Sequence, residues 1–176
     1  LIGPGHNGGE GAVIARELFL KGFLVQVWCP FPIQKTLTRK HLNYLTTIGV
    51  TKLVEPPLAN GKELWIDAVF GNNQTRKVDN KLIKLFNQKS DNKYGKVISI
   101  DIPTGLCPDK GEPFLDDAVK ADYTLAIGLN KIGLMQDSAL PFIGELHHID
   151  VGIPISKLSK ANKKIFKVTY KDLKKR

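Results

Sequence analysis

Nine residues near the start of the chain have the composition of a phosphate-binding loop. The stretch Gly3-Pro4-Gly5-His6-Asn7-Gly8-Gly9-Glu10-Gly11 holds five glycines, between a strand end predicted at Leu1–Ile2 and a helix predicted over Gly9–Lys21. Glycines let the backbone approach a ligand closely, and a helix N-terminus offers free N–H groups and a partial positive charge to a phosphate. The spacing of the first three glycines fits G-x-G-x-x-G, which favours a dinucleotide site over the alternative of a tight turn.

One aspartate, Asp67, interrupts an otherwise apolar run, Leu64–Phe70, that we predict to be a strand. A carboxylate inside a buried strand is unfavourable unless it is paired, hydrogen-bonded or bound to a cation. The side chain is therefore either a ligand for a cation or a substrate group, or an acceptor for backbone N–H groups near the strand end.

A second aspartate, Asp101, follows the apolar run of a strand predicted over Val97–Ile102 and leads into Pro103-Thr104-Gly105. Ligands of doubly wound sheets bind at the carboxyl ends of strands, where Asp101 must lie. It is a candidate general acid/base, and the alternative is an Asp that forms a turn before Pro-x-Gly.

Asn7, Asp67 and Thr104 together offer an amide oxygen, a carboxylate and a hydroxyl. These hard oxygen donors suit an alkali or alkaline-earth cation and do not suit zinc. The adjacent His147 and His148 lie in a predicted strand, where neighbouring side chains point to opposite faces, so we interpret them as sheet surface and not as a metal pair.

Two other nucleotide-binding classes are disfavoured. A conventional NAD fold carries an acid at the end of its second strand, but here that strand ends in Val27-Trp28-Cys29-Pro30. This absence, together with the lack of a substrate domain, argues against an ordinary NAD-dependent oxidoreductase. The chain also lacks the G-x-x-x-x-G-K-[ST] of a P-loop.

The elements that must position these residues alternate between short apolar runs and amphipathic stretches, which predicts an α/β fold with a mainly parallel central sheet. The remaining predicted strands are Phe23–Cys29, Lys52–Val54, Tyr123–Ile127, Glu145–Ile149 and Ile165–Val168, and the remaining predicted helices are 35–48 and Asn80–Asn87.

The chain of 176 residues fits one domain, residues 1–156, followed by a basic segment, residues 157–176. That segment holds nine basic residues and one acid, so it carries +8 of the net charge of +9. We interpret it as a tail or a linker into a further domain, and nucleic-acid binding as the weaker alternative. Two isolated cysteines suit a reducing compartment, either the cytoplasm or an organelle stroma or matrix, and the sequence contains no membrane-spanning run.

Five segments in this order resemble the YjeF N-terminal family, the NAD(P)H-hydrate epimerases. They are GPGHNGGEG, DAVFG, VISIDIPTGL, ADYTLAIGLNKIGL and HHIDVGIP, and the resemblance extends to about residue 155. It implies a three-layer α/β/α Rossmann-like fold, a homodimer and a bound potassium ion. It also implies interconversion of the R and S forms of hydrated NADH or NADPH at C6, with an ATP- or ADP-dependent dehydratase, fused or separate, removing water from the S form.

The resemblance also implies roles for single residues. Potassium would be held by Asn7, Asp67 and Thr104. The dinucleotide would contact one stretch, His6, Asn7, Gly8, Gly9 and Glu10, and a loop, Gly71, Asn72, Asn73, Gln74, Thr75, Arg76 and Lys77, together with Asp101. Where the family has Gly-Thr-Gly in that loop, this chain has Gly71-Asn72-Asn73, and Thr104 replaces the usual Ser.

Epimerisation at C6 requires one positioned acid/base, for which Asp101 is our prediction. Lys131 would be a second proton donor or a phosphate contact. The alternative function is a non-catalytic nucleotide-binding or scaffold module on the same fold, and retention of Asp67, Asp101 and Thr104 argues for the enzyme.

The charge distribution yields a first prediction. Deleting residues 157–176 should abolish any nucleic-acid affinity, because those residues carry almost all the excess positive charge, and should leave dinucleotide binding unchanged. A gel-shift assay at physiological salt measures the first effect. A shift that survives the deletion would mean that the folded domain itself binds phosphate backbones.

Overall fold

The computed structural model describes residues 1–75 and 77–154, in which helices and strands alternate. In chain order the elements are α1 His6–Leu20, β1 Gln26–Val27, α2 Thr36–Thr47, β2 Thr51–Lys52, β3 Leu64–Asp67, α3 Asn80–Ser90, β4 Lys96–Ile100, β5 Tyr123–Ile127, two 3₁₀ turns at Ile132–Met135 and Asp137–Ala139, α4 Leu140–Ile143, and β6 Glu145–Ile149. Among the described residues, no helix combines the length and hydropathy that crossing a bilayer requires.

Every pair of neighbouring strands is parallel: β1 pairs with β2, and β3–β4–β5–β6 form a four-stranded sheet. The segment Leu1–Ile2 joins these two sheets. Ile2 bridges in parallel to Ala68, immediately after β3, and its N–H donates to the Trp28 carbonyl (2.8 Å), immediately after β1. The spatial order is therefore β2, β1, Leu1–Ile2, β3, β4, β5, β6.

This order makes the fold Rossmann-like. The chain moves from Leu1–Ile2 outward to β1 and β2, and then from β3 outward in the other direction. Parallel crossovers are right-handed, so connections that run in opposite directions place their helices on opposite faces of the sheet. The predicted three-layer α/β/α fold is confirmed, and its switch point lies between Ile2 and β3, where such sheets bind ligands.

Separate apolar clusters occupy the layers. Around α1 and α2, one cluster contains Ile2, Ala12, Ala15, Val27, Leu42, Leu45 and Val50. Around α3, a second contains Trp65, Val69, Val78, Leu82, Ile83, Phe86, Val97 and Val119, with the Trp65 and Phe86 rings edge to face at 5.8 Å. A third lies beneath α4 and includes Ile102, Leu106 and Ala126.

Several predicted boundaries were wrong, for local reasons. The strand predicted over Phe23–Cys29 is only Gln26–Val27, because the Phe23 N–H donates to the Leu18 carbonyl (3.1 Å) and so belongs to the end of α1. Lys52–Val54 is replaced by Thr51–Lys52, with Val54 90% exposed. The strand predicted to Ile102 ends at Ile100, since Asp101 has a φ of +71° and turns the chain.

Other elements are longer than predicted, or were not predicted. Helix α1 begins at His6 and not at Gly9, and α3 continues to Ser90. The turns after Lys131 and the four-residue α4 were not predicted, because such short elements carry no periodicity. Strands β5 and β6 match their predicted bounds, and β6 is an edge strand among the described residues. The strand predicted at Ile165–Val168 lies outside those residues.

The switch point depends on one backbone contact. A Cβ built on Gly3 would stand 1.7 Å from the Val69 carbonyl oxygen, so only glycine allows the first loop to meet the end of β3. A Cβ built on Gly8 would likewise stand only 2.0 Å from the Gly3 carbonyl oxygen, whereas one built on Gly5 would meet nothing within 4 Å.

This contrast yields a paired prediction. Gly3→Ala should lower the free energy of unfolding by roughly 3 kcal/mol, at the upper end of overpacking costs, because backbone atoms cannot move aside. Gly5→Ala should cost about 1 kcal/mol or less, as expected for a change at a helix N-cap. Urea denaturation of both variants measures the difference. Equal losses would show that Gly3 and Val69 do not pack as closely as described.

Candidate functional site

The glycine-rich loop is fixed from both sides before it enters α1. The Thr38 hydroxyl donates to the Gly5 carbonyl (2.8 Å), and the N–H groups of Gln34 and Lys35 donate to the Pro4 carbonyl (3.1 and 3.2 Å). No side chain caps the N-terminus of α1, and its first turn contains no acid. The opening N–H groups of this 15-residue helix are thus available to an anion at the carboxyl edge of the sheet.

Asp67 is fully buried and accepts four hydrogen bonds. Oδ1 accepts from the Thr104 hydroxyl (2.7 Å) and the Val69 N–H (3.2 Å), and Oδ2 accepts from the Thr104 N–H (2.9 Å) and the Ser99 hydroxyl (3.0 Å). All four donors are neutral. Burial raises the pKa of the Asp67 carboxyl, and the hydrogen bonds from Thr104, Val69 and Ser99 oppose that rise.

Asn7 is the one described residue whose buried side-chain amide has no hydrogen-bond partner at either atom. It lies in the first turn of α1, 8% exposed, and faces Gly71: a Cβ built on that glycine would stand 3.2 Å from the Asn7 Oδ1. Gly71 follows Phe70, whose N–H donates to the Thr104 hydroxyl (3.2 Å). The three predicted cation ligands therefore surround the short segment that follows β3.

Asp101 stands on a strained turn. It has a positive φ, the only non-glycine residue described with one, and the Ile102 N–H donates across it to the Ile100 carbonyl (2.9 Å). A γ-turn with positive φ is rare and strained, and such strain clusters at functional sites. The alternative that Asp101 forms a turn is thus correct for its backbone. Its side chain, however, faces the loop after β3, where the Asn72 N–H donates to it.

The Asp101 carboxylate has two partners. Oδ1 forms an ion pair with the Lys131 ammonium, which also donates to the Ile127 carbonyl (2.9 Å), and Oδ2 accepts from the Asn72 N–H (2.8 Å). Both charged side chains are 12% exposed. The two residues predicted to carry the chemistry are therefore in direct contact, at the carboxyl ends of β4 and β5.

Glu10 adds a second carboxyl to this cluster. Partial burial raises the pKa of the Glu10 carboxyl, the charge of Asp101 adds to that rise, and the charges of Lys131 and His6 oppose it. His6 and Glu10 both lie on the exposed side of the first turns of α1, whereas Gly8 and Gly9 are buried beneath them.

The loop Gly71–Lys77 divides into two kinds of residue. Asn72, Asn73, Thr75 and Lys77 are exposed, and Arg76 lies outside the described residues. Gln74 is buried: its Nε2 donates to the carbonyls of Pro103 (3.1 Å) and Leu106 (2.8 Å), and its Oε1 accepts from the Gly105 N–H (2.9 Å). Gln74 therefore ties this loop to the segment after Asp101, and its contact with a dinucleotide stays a prediction.

One member of the cluster was missed by sequence analysis. Ser99 bonds Asp67 directly and is its register partner in the β3–β4 pair. The signal available in the sequence was a polar residue inside each of two apolar runs that were predicted to be strands. The interpretation of the histidine pair agrees with the geometry, because His147 lies 3.1 Å from Glu145 while His148 contacts the Gly128 carbonyl. In the described ranges, no group of three or more His, Cys, Asp or Glu residues is placed so that it could hold a metal ion.

The sequence is similar to those of named proteins over most of its length. The bifunctional NAD(P)H-hydrate repair enzyme Nnr of Gloeobacter violaceus is 40% identical over 156 residues, which are 86% of this chain and 30% of that protein. The NAD(P)H-hydrate epimerase of Oenococcus oeni is 31% identical, over 87% of this chain and 73% of that protein. The chain thus spans about a third of the bifunctional relatives and most of the smaller one.

A solved structure shares the fold. The crystal structure of the yeast protein YNL200c matches with a TM-score of 0.64 and 23% identity, covering 84% of this chain and 62% of that one. Residues 1–133 match the family described as YjeF-related protein N-terminus. This match covers the glycine-rich loop, Asp67, Asp101 and Lys131, and the chain belongs to that family.

Proposed function

We propose that this protein is an isomerase that interconverts the R and S forms of hydrated NADH or NADPH at C6 of the nicotinamide ring. The observation that carries the proposal is the Asp101–Lys131 ion pair at the carboxyl edge of a Rossmann-ordered sheet, beside a glycine-rich loop. The names of the relatives in Gloeobacter violaceus and Oenococcus oeni support the same activity.

The reaction requires a matched acid and base. C6 of the hydrate carries a hydroxyl on the carbon bonded to the ring nitrogen, so that nitrogen's lone pair can expel the hydroxyl once it is protonated. Water then adds to C6 from the other face and gives up a proton. The ring and the enzyme end with the same number of protons and electrons as at the start.

Lys131 and Asp101 supply these two functions together. The Lys131 ammonium is the proton donor to the departing hydroxyl, and the Asp101 carboxylate is the acceptor for the proton of the incoming water. The Asn72 N–H and the Ile127 carbonyl hold the two side chains in place, so the ring must present first one face and then the other to the same ion pair. The pyrophosphate of the ligand would lie at the N-terminus of α1, with His6 to Glu10 and the loop Gly71–Lys77 around it.

Potassium fits the oxygen donors around Phe70 and Gly71. A bound cation would give the buried Asn7 amide oxygen a partner that it otherwise lacks. It would also offset the charge of a fully buried carboxylate, Asp67, whose hydrogen-bond donors are all neutral. Asn7 and Asp67 would hold the ion, with Thr104 completing the set. When bound, potassium would neutralise the Asp67 charge and link α1 to the loop after β3.

Assembly and location are extensions of this proposal. A homodimer is supported by the family resemblance and by exposed apolar side chains at the end of α1, where Leu20, Phe23 and Leu24 are 61%, 59% and 96% exposed. A dehydratase partner, fused or separate, is supported by the bifunctional names of relatives. The free Cys29 and Cys107 are consistent with the cytoplasm or another reducing compartment.

A non-catalytic scaffold would have no need for an ion-paired acid on a strained turn.

Asp101→Asn should reduce kcat for epimerisation by roughly 100-fold or more, because the amide keeps the shape and cannot accept the proton. Asparagine also tolerates a positive φ, so the backbone should be unchanged. The assay supplies the R epimer and follows its conversion by chromatography or with an S-specific dehydratase.

The matched control for this variant is Asp116→Asn, which removes an exposed carboxylate away from the cluster. It should retain full activity. Activity in Asp101→Asn equal to the wild type would move the proton transfer to another residue, and wild-type protein that binds NADP without converting the hydrate would be a binding module.

Asp67→Asn should destabilise the protein more in potassium chloride than in N-methylglucamine chloride of equal ionic strength. The lost hydrogen-bond geometry costs the same in both buffers, whereas the attraction for potassium exists in only one. Thermal unfolding of the variant and the wild type in the two salts gives the difference. An equal loss in both would count against a cation between Asn7 and Asp67.

The pH dependence checks the same site. In the absence of a cation, folding raises the pKa of the Asp67 carboxyl. Its contribution to the free energy of unfolding is therefore fully present at pH values below the unfolded pKa, and it is lost as pH rises through the folded pKa. Wild-type protein without potassium should therefore gain stability on moderate acidification relative to Asp67→Asn. Potassium should diminish that gain, since it favours the ionised form.

A further inference from the structure

A groove of about 440 Å³ lies outside the Asp101 cluster, between the segment after β1 and the exposed side of α3. Its walls are the rings of Trp28 and Phe31 and the Leu85 side chain, and Lys81 and Lys84 stand at its rim. A cavity of this size is in the range of small-molecule sites. None of these residues has a part in the function described above.

The groove spans the switch point of the sheet. Trp28 and Phe31 follow β1, on one side of Leu1–Ile2, and α3 follows β3, on the other side. The Phe31 ring contacts the Phe70 ring, with centroids 5.6 Å apart. A Cβ built on the next residue, Gly71, would stand 3.1 Å from the Asp101 Oδ2. An extended dinucleotide with its nicotinamide ring at Asp101 and its pyrophosphate at the glycine-rich loop would thus place its other base at the groove.

The lining suits a purine and an extra phosphate. Aromatic and aliphatic walls match the faces of an adenine ring. Lys81 and Lys84 are three residues apart on one side of α3, and neither forms an ion pair in the part of the chain that is described. The one acid in the lining, Asp79, accepts the Lys81 N–H (2.8 Å) as the N-cap of α3.

The end of β1 gives a second, independent indication. In dinucleotide folds an acid at this position binds the ribose 2′-hydroxyl of NAD, and it repels a 2′-phosphate. Here the strand continues into Trp28-Cys29-Pro30, with no acid. The end of β1 therefore carries no negative charge that would repel the 2′-phosphate of NADP.

We propose that this groove binds the adenosine half of the substrate, with Lys81 and Lys84 contacting its 2′-phosphate, so that the protein prefers the hydrate of NADPH to that of NADH. The inference rests on the proposed function for its choice of substrate, but the subsite can be tested without the reaction.

The test uses fragments that contain only one half of the dinucleotide. Adenosine 2′,5′-bisphosphate should quench the fluorescence of Trp28 and bind at least about 10-fold more tightly than 5′-AMP, since charge-assisted hydrogen bonds to phosphate are strong. Nicotinamide mononucleotide should not quench it. Trp28→Phe removes the signal and leaves the background from Trp65, which is buried.

Two double variants separate specific contact from general charge. Lys81→Ala/Lys84→Ala should bring the affinities for the bisphosphate and 5′-AMP to within about 2-fold of each other. Lys40→Ala/Lys110→Ala removes the same charge from exposed positions elsewhere and should keep the full preference. Equal affinity for both fragments in the wild type, or equal loss in both double variants, would overturn the subsite.

The outcomes also distinguish the subsite from the proposed function. Bisphosphate binding that depends on the two lysines, in a protein without epimerase activity, would support the subsite and refute the enzyme. Epimerisation of both hydrates with equal kcat/KM, without binding of the bisphosphate, would support the enzyme and refute the subsite.

Discussion

The buried carboxylate of Asp67 organises the whole carboxyl edge of the sheet. Its four hydrogen bonds reach β4 through Ser99, the loop after β3 through Val69, and the turn after Asp101 through Thr104. Without Asp67, each of these donors would be a buried polar group with no partner. The three segments therefore depend on the same carboxylate for their hydrogen bonds. The positions of Gly71, Asn72 and Asp101 follow from this arrangement, and the proposed chemistry depends on those positions.

Two local constraints accompany that arrangement. The positive φ of Asp101 directs its carboxylate across the top of β5 towards Lys131, and the ion pair and the Asn72 N–H hold it there. The missing Cβ of Gly3 allows backbone to pack against backbone at the switch point. In both cases a local conformation that is unfavourable, or restricted to one residue type, is kept because the surrounding contacts determine it, as is usual at functional sites.

The sequence predicted this site in its residue types better than in its contacts. The alternation of apolar runs and glycine-rich turns was sufficient for the fold class, and the bounds of β5 and β6 followed because both are regular strands with clear turn signals at each end. The lengths of β1 and β2 were overestimated, since the strand propensity of Phe23, Leu24 and Val54 cannot show that no partner strand extends beside them.

Asp101 and Lys131 were both candidates, but their ion pair joins residues 30 apart across β5, which no local pattern reveals. The bonds that turn Gln74 inward were equally hidden, because a polar side chain in a glycine-rich loop has the same sequence signal whether it faces a ligand or a neighbouring backbone.

The central place of Leu1–Ile2 has a consequence for how the fold is reached. Ile2 precedes every strand that the structure describes, yet its neighbours are Trp28 on one side and Ala68 on the other. The two halves of the sheet cannot join until a contact with a sequence separation of 66 residues has closed, and the loop entropy of that closure is opposed only when β3 is in place. During synthesis the glycine-rich loop must therefore wait, unpaired on one side, until β3 has emerged. Refolding should be slow for a domain of this size and should end with the joining of the sheet, so that the carboxyl edge at the switch point is the last part of the molecule to assemble.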